Sequence, residues 1–285
     1  MAKGASKAGE NPLVPNAKLK QMYTAMLEAR MLEEAVTKKA RGAKRVRKIA
    51  SIRGQEAVRV STAIELGPDD LVSDARVSVG MELILGGEAT SLLKTFSKTS
   101  PTTGGNRFLR PIDDSAEQLR LAAGAALALK AQGRRGIIVV YAGREEASKS
   151  AWTDTLSTAA KLELPMIFVV LPGTGAAKKG GEAAVMSGLA HAAGMPGMPV
   201  DACDAVALYR VTQESLGRTR GGDGPVLVEC VRWGIEGKRG VSDDPILHLQ
   251  EVLTERRIVT PEWFENAGRA ARKRLFAKKS ALKRG

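Results

Sequence analysis

Hydrophobic positions in this chain gather in two short runs, 137–141 and 166–171, both rich in β-branched residues and bounded by polar ones. Runs of that length and make-up read as buried parallel strands. Between them, residues 148–162 place Ala151, Trp152, Thr155, Leu156, Ala159 and Ala160 at helical spacing. Strand, helix and strand make a βαβ unit, and an open α/β sheet holds its ligand beyond the carboxyl ends of such strands. Here that end is Tyr141-Ala142-Gly143-Arg144-Glu145.

The same patterning predicts helices over 19–40, 51–66, 116–131, 182–194, 204–221, 246–255 and 261–276. Short strands are expected at 71–73, 199–201 and 224–230. Residues 87–115 are polar with interspersed Gly and Pro, and read as a connection. Gly and Lys in 172–181 suggest a phosphate cradle, but the spacing is not that of a P-loop, so this stretch reads as a plain loop. The fold class is therefore α/β: a mostly parallel sheet flanked by helices, with N- and C-terminal helices. A polar arm (1–16), one folded domain (17–276) and a basic tail (277–285) are expected.

A chain of 285 residues with 44% hydrophobic content has enough apolar surface for one large domain. Cys203 and Cys230 lie far apart and form no metal-ligand or redox motif, which suits reduced thiols in the cytoplasm. The first residues lack the apolar core of a secretory signal, and no apolar run is long enough to span a membrane. The net charge of +13 changes the picture more, because much of it sits in 38–53 and 269–284. Such a field favours an anionic partner, such as an acidic protein surface, a phosphorylated ligand or nucleic acid. Neither cluster is interleaved with aromatics for base stacking, and no helix-turn-helix, zinc-finger or RNA-recognition signature is present.

Several motifs point to one family. They are the first helix, with Arg30 and Glu33 or Glu34 at its polar positions, Gly54-Gln55-Glu56-Ala57, Pro68-Asp69-Asp70, the βαβ unit, Gly224-Pro225 with Glu229, and Ser242-Asp243-Asp244-Pro245. Together they resemble the E1 α subunit of thiamine-diphosphate-dependent 2-oxo acid dehydrogenases of the pyruvate dehydrogenase type. The resemblance implies the thiamine-diphosphate-binding fold, a magnesium-held cofactor at a subunit interface, and assembly with an E1 β subunit or as a homo-oligomer. It makes Arg76, Gly143, Arg144 and Glu145 the remnant cofactor site, with Arg76 matching a diphosphate-binding arginine. The expected contact faces are the helix over 116–131 and the crossover helix. Arg30 and its neighbouring glutamates, taken alone, read as a surface ion pair.

The residues that would perform the chemistry are replaced. Arg144 stands where the family has a magnesium-ligating Asp, and Glu145 at a glycine position. Pro172 and Gly173 replace an Asn pair that supplies a further metal ligand. Three loop histidines are exchanged for Ser78, Phe108 and Lys238. Magnesium needs oxygen ligands, and a serine hydroxyl cannot take over proton transfer from an imidazole near neutrality. Glu145 or Glu146 could serve a metal only from a shifted position, and Arg144 could meet a phosphate directly or, in the simpler reading, fill the vacant site and pair with Glu145, Glu146 or a neighbouring subunit's carboxylate. His191 and His248 fall on no catalytic position of the motif.

The expectation is thus a non-catalytic E1 α-like subunit with no catalytic residue, no metal ligand and no cofactor. One alternative is an active 2-oxo acid dehydrogenase subunit with a remodelled site, which would require thiamine diphosphate and magnesium. Another is a basic protein that binds anions or nucleic acid.

Overall fold

The computed structural model describes residues 13–41, 50–95, 107–173, 183–232 and 244–276. Its centre is a five-stranded parallel sheet in the order β1-β2-β3-β5-β4. The strands are β1 (Leu71–Asp74), β2 (Ile138–Gly143), β3 (Met166–Leu171), β4 (Gly197–Asp201) and β5 (Val226–Val231). β5 is buried throughout, and β2 and β3 at all but their last residue, as continuous apolar runs require when both faces of a sheet are covered.

Two helical layers cover it. On one face α5 (Ser115–Ala131), α6 (Lys149–Lys161) and α7 (Met186–Ala192) enclose Ile138, Val140, Phe168 and Val170. Small residues Ala122, Ala123 and Ala126 bring α5 close to the sheet. On the other face α1 (Asn16–Arg41), α2 (Glu56–Ala63), α8 (Ala205–Gly221) and α9 (Pro245–Glu255) pack over Val72, Val139, Tyr141, Val169 and Val228. α3 (Val79–Ile84), α4 (Ala89–Thr95) and the end of α10 (Pro261–Phe276) join the second half of α1 in a smaller cluster around Leu32, Val36, Leu92 and Leu275.

Polar residues punctuate these elements as capping chemistry dictates. Ser148 accepts from the Ala151 amide to start α6, and Asp114, Asp204 and Asp244 do the same for α5, α8 and α9. The α/β architecture and parallel sheet agree with the sequence reading. Several boundaries do not. Val14 is fully buried and α1 opens at Asn16, so folded chain begins inside the expected arm. The helix expected over 51–66 is confined to Glu56–Ala63, because 52–55 form a turn closed by Gln55 N–H on the Ile52 carbonyl. α3, and α4 within the supposed connection, were not anticipated; each is short, and Leu92 is the only fully apolar anchor α4 buries besides Ala89. The helix expected over 182–194 shrinks to α7. Residues 1–12, 42–49, 96–106, 174–182, 233–243 and 277–285, which include most of the expected arm, the basic stretch and the basic tail, lie outside the described residues.

Candidate functional site

The carboxyl ends of β1 and β2 lie side by side, with Asp74 in register with Tyr141. The segment after β1 and the single 3-10 turn after β2 (Arg144–Glu146) therefore meet above the sheet edge. Arg76 projects from the first and forms an ion pair with Glu146 of the second. The other Glu146 oxygen accepts the Gly143 N–H at 2.8 Å. Gly143 makes this possible: an added Cβ would stand 3.0 Å from Cγ and 3.1 Å from Cδ of Glu146. The lost side chain is the space into which the carboxylate folds back.

Arg144 points elsewhere. Its guanidinium donates to the Ala183 carbonyl at 3.2 Å and makes a longer 3.5 Å contact with Glu145, whose side chain is 85% exposed. The Arg144 carbonyl accepts the Trp152 indole N–H at 3.2 Å, which ties the turn to α6. Of the four residues that the sequence proposed, Arg76 and Gly143 are brought together, while Arg144 and Glu145 pair beside them. Glu146, read from the sequence as a displaced metal ligand or a partner for Arg144, is instead the group that joins the first two, and the Arg144 pair falls to Glu145.

Beneath this edge lies a buried polar floor. The Arg59 guanidinium bonds Asp74 and stacks over the Tyr141 ring, 4.2 Å from its centroid. The Tyr141 hydroxyl shares a 2.7 Å hydrogen bond with Thr62. Burial holds the Tyr141 phenol and the Cys230 thiol well above their ordinary values, so both stay protonated near neutrality. Neither is poised as a base or nucleophile.

The motif residues nearby are structural joints. Arg30 is not a surface group: its side chain is 14% exposed and reaches Glu56 at 2.7 Å and Asp244 at 2.5 Å. Glu56 also accepts the Gly54 N–H at 2.8 Å. Three separated motifs thus converge on one guanidinium. Burial raises the Asp244 carboxyl, but the Arg30 hydrogen bond and charge and the Ile246 and Leu247 amides outweigh it, leaving a net lowering. Glu33 is buried and accepts from Ser51 Oγ, the Ile52 N–H and the Gly80 N–H, with burial still setting a raised net value. Only Glu34 behaves as expected of a surface group, pairing with exposed Arg53.

Ser78, at a position where the resemblance places a histidine, caps α3 by accepting the Met81 N–H at 3.0 Å. Phe108, at another, lies against β1 in a parallel bridge to Val72 and packs on the core. Pro172 is buried just past β3. Glu229 caps α7 by accepting the Val185, Met186 and Ser187 amides, which explains where that helix begins. No hydrogen bond or ion pair joins His191 or His248 to Arg76 or Glu146 among the described residues, where no three His, Cys, Asp or Glu side chains gather as a metal-binding group either. Lys238 lies outside the described residues.

Sequence comparison places this arrangement among known proteins. The family model described as "Dehydrogenase E1 component" matches residues 23–252. The pyruvate dehydrogenase E1 component subunit alpha of Staphylococcus aureus is 28% identical over 202 residues, covering 67% of this chain and 54% of that protein. Its namesake from Bacillus subtilis is 27% identical over 245 residues, covering 82% of this chain and 65% of that protein. The chain thus spans about half to two thirds of the length of these curated relatives. A Mycobacterium smegmatis structure, described as that of a candidate thiamin diphosphate-dependent enzyme, is 20% identical with a TM-score of 0.39 over 61% of this chain and 30% of that one. A score that low adds nothing to the fold.

Proposed function

The chain belongs to the dehydrogenase E1 component family, and from that premise we propose that it is a non-catalytic E1 α-like subunit that uses neither thiamine diphosphate nor magnesium. One observation carries the reading. The donors at the β2 edge that suit an anionic group, the Arg76 guanidinium and the Gly143 N–H, already hold the chain's own Glu146 carboxylate. The residues present also do not fit the metal. Magnesium takes oxygen ligands in near-octahedral geometry. Arg144 brings positive charge and no side-chain oxygen to the strand end, its carbonyl is taken by the Trp152 indole, and Glu145 is turned to its guanidinium. Glu146 is taken, and the hydroxyl of Ser78 is spent on capping α3. What these side chains do is hold the edge closed and join the motif segments.

The role proposed in place of catalysis is structural or regulatory, with a second copy or an E1 β-like subunit as companion. The naming of the relatives as alpha subunits supports this. So does the outer face of α5, where Leu121 and Leu127 are exposed. Exposed Lys38, Lys39, Arg272 and Lys273 add an anionic partner to the proposal, to be recognised by binding that weakens steeply with salt. The compartment proposed is the cytoplasm, where buried thiols such as those of Cys203 and Cys230 stay reduced. No helix among the described residues is long and apolar enough to cross a membrane.

Calorimetric titration of the purified chain with thiamine diphosphate and magnesium tests the central claim. No heat and no thermal shift at millimolar ligand are expected. Saturable micromolar binding would sink the reading and favour a working oxo-acid dehydrogenase subunit with a remodelled site.

A further inference from the structure

We infer that Glu146 is an internal anion: its carboxylate occupies, and thereby closes, a binding site for a phosphate-class ligand built from Arg76 and the Gly143 N–H. The inference rests on the reading above for where the site lies, and adds what keeps it shut and what would open it. Three features support it. Both carboxylate oxygens are engaged by donors from two different strand ends, one by the Arg76 side chain and one by a backbone amide. A guanidinium and a free-standing amide are the groups that recognise phosphate oxygens, and they recognise carboxylates through the same charge-assisted hydrogen bonds. The backbone is shaped for the contact, since the carboxylate lies where a Gly143 Cβ would crowd it.

The arrangement is local, so it can compete with ligand. Glu146 stands three residues from Gly143, and its side chain is 28% exposed against 61% for Arg76. Water and ions reach both partners. An intramolecular carboxylate wins there by proximity, because it is held within reach whatever the solution contains. Remove it, and the Arg76 guanidinium and the Gly143 N–H are left without the carboxylate that joins them. Glu145 remains, but its contact is to Arg144.

The experiment uses the full chain and inorganic pyrophosphate without metal, followed by calorimetry. Glu146→Ala should bind pyrophosphate at least about tenfold more tightly than the unaltered chain, as expected for freeing two charge-assisted donors. Glu146→Gln, which keeps the shape and loses the charge, should gain in the same direction. Arg76→Ala placed in the Glu146→Ala background should return affinity to the starting level. Equal affinity of the unaltered chain and both Glu146 variants would refute the assignment, as would a gain that survives loss of Arg76. The two proposals fail separately. Binding of thiamine diphosphate and magnesium by the unaltered chain would end the non-catalytic reading while leaving the pyrophosphate comparison to be scored. An unaltered chain that ignores the cofactor but shows no response to Glu146 substitution would end only the assignment made here.

Discussion

Arg30 and Arg76 both meet carboxylates, and the contrast between their surroundings separates what holds this protein together from what sits at its candidate site. Arg30 is enclosed, with a fully buried Glu56 on one side and the α9 cap Asp244 on the other. Arg76 pairs directly with a single carboxylate at a solvent-exposed rim. In the first setting, desolvation has already been overcome by several hydrogen bonds at once, and removing one partner strands the others. In the second, water can replace either partner at little cost. The lesson is that residues of family-like motifs can be joints of the architecture, while the exposed edge holds its side chains by single, water-accessible contacts. Arg30, Glu56 and Asp244 come from three of the motifs that support the resemblance, and they serve the architecture.

The sharpest test of that contrast is Glu56→Ala. It removes the acceptor of both Arg30 Nε and the Gly54 N–H from a fully buried position. A loss of about 3–5 kcal/mol is expected, as for breaking a buried ion pair from one side. At about 2–4 °C per kcal/mol for a chain of this order of size, thermal unfolding should shift down by roughly 10 °C. A shift of only a degree or two would place Arg30 in the same class as Arg76 and erase the distinction.

That distinction was only half legible in the sequence. β2, β3 and α6 could be read directly, because a buried parallel strand leaves an unbroken apolar run and Ser148 marks the helix start. α3 was hidden, although Ser78 followed by Val79-Gly80-Met81 carries its own signal in the cap that Ser78 provides. The role of Arg30 was misread as superficial, since its partners lie 26 and 214 positions away and no local pattern links them. At the site, Arg76, Gly143, Arg144 and Glu145 could be picked out by position, but the part played by Glu146 could not. It depends on a 3-10 turn folding a side chain back over a glycine, and on a neighbouring strand end delivering Arg76. Both are tertiary facts.

A second test uses acid to separate the contributions of Asp244 and Glu33. Asp244 has a folded-state value below the ordinary 3.8, so its contribution is fully present above that value and is lost as pH falls through the lower folded one. Glu33 is raised above the ordinary 4.5, so it has the opposite sign: its contribution is present below 4.5 and is lost as pH rises through the raised value. Denaturant unfolding measured between about pH 3 and pH 7 should therefore show Asp244→Asn flattening the acid limb of the stability curve and Glu33→Gln removing a slope of the other sign. At neutral pH, Asp244→Asn should cost about 1–2 kcal/mol, less than Glu56→Ala because the Asp244 side chain is 32% exposed and its pairing is partly screened. Equal pH profiles for both variants and the unaltered chain would mean that neither carboxylate senses folding in the way its contacts require.

The smallest effect belongs to Glu146→Ala at the edge, and its smallness is informative. The variant loses an ion pair to a largely exposed arginine and one hydrogen bond to the Gly143 amide. Exposed ion pairs contribute about 0–1 kcal/mol, and the freed amide at this rim is open to water, so no buried donor is stranded. The expected loss is therefore under about 1 kcal/mol, a shift of roughly 2–4 °C at most by thermal unfolding. If Glu146→Ala instead destabilised the chain as much as Glu56→Ala, the carboxylate would be a structural joint like Glu56. Glu146 would then hold the fold, and the edge would have no spare site to close. A near-neutral variant that gains pyrophosphate binding requires the other conclusion: Arg76 and Gly143 keep their geometry without the carboxylate, and what Glu146 supplies is occupancy.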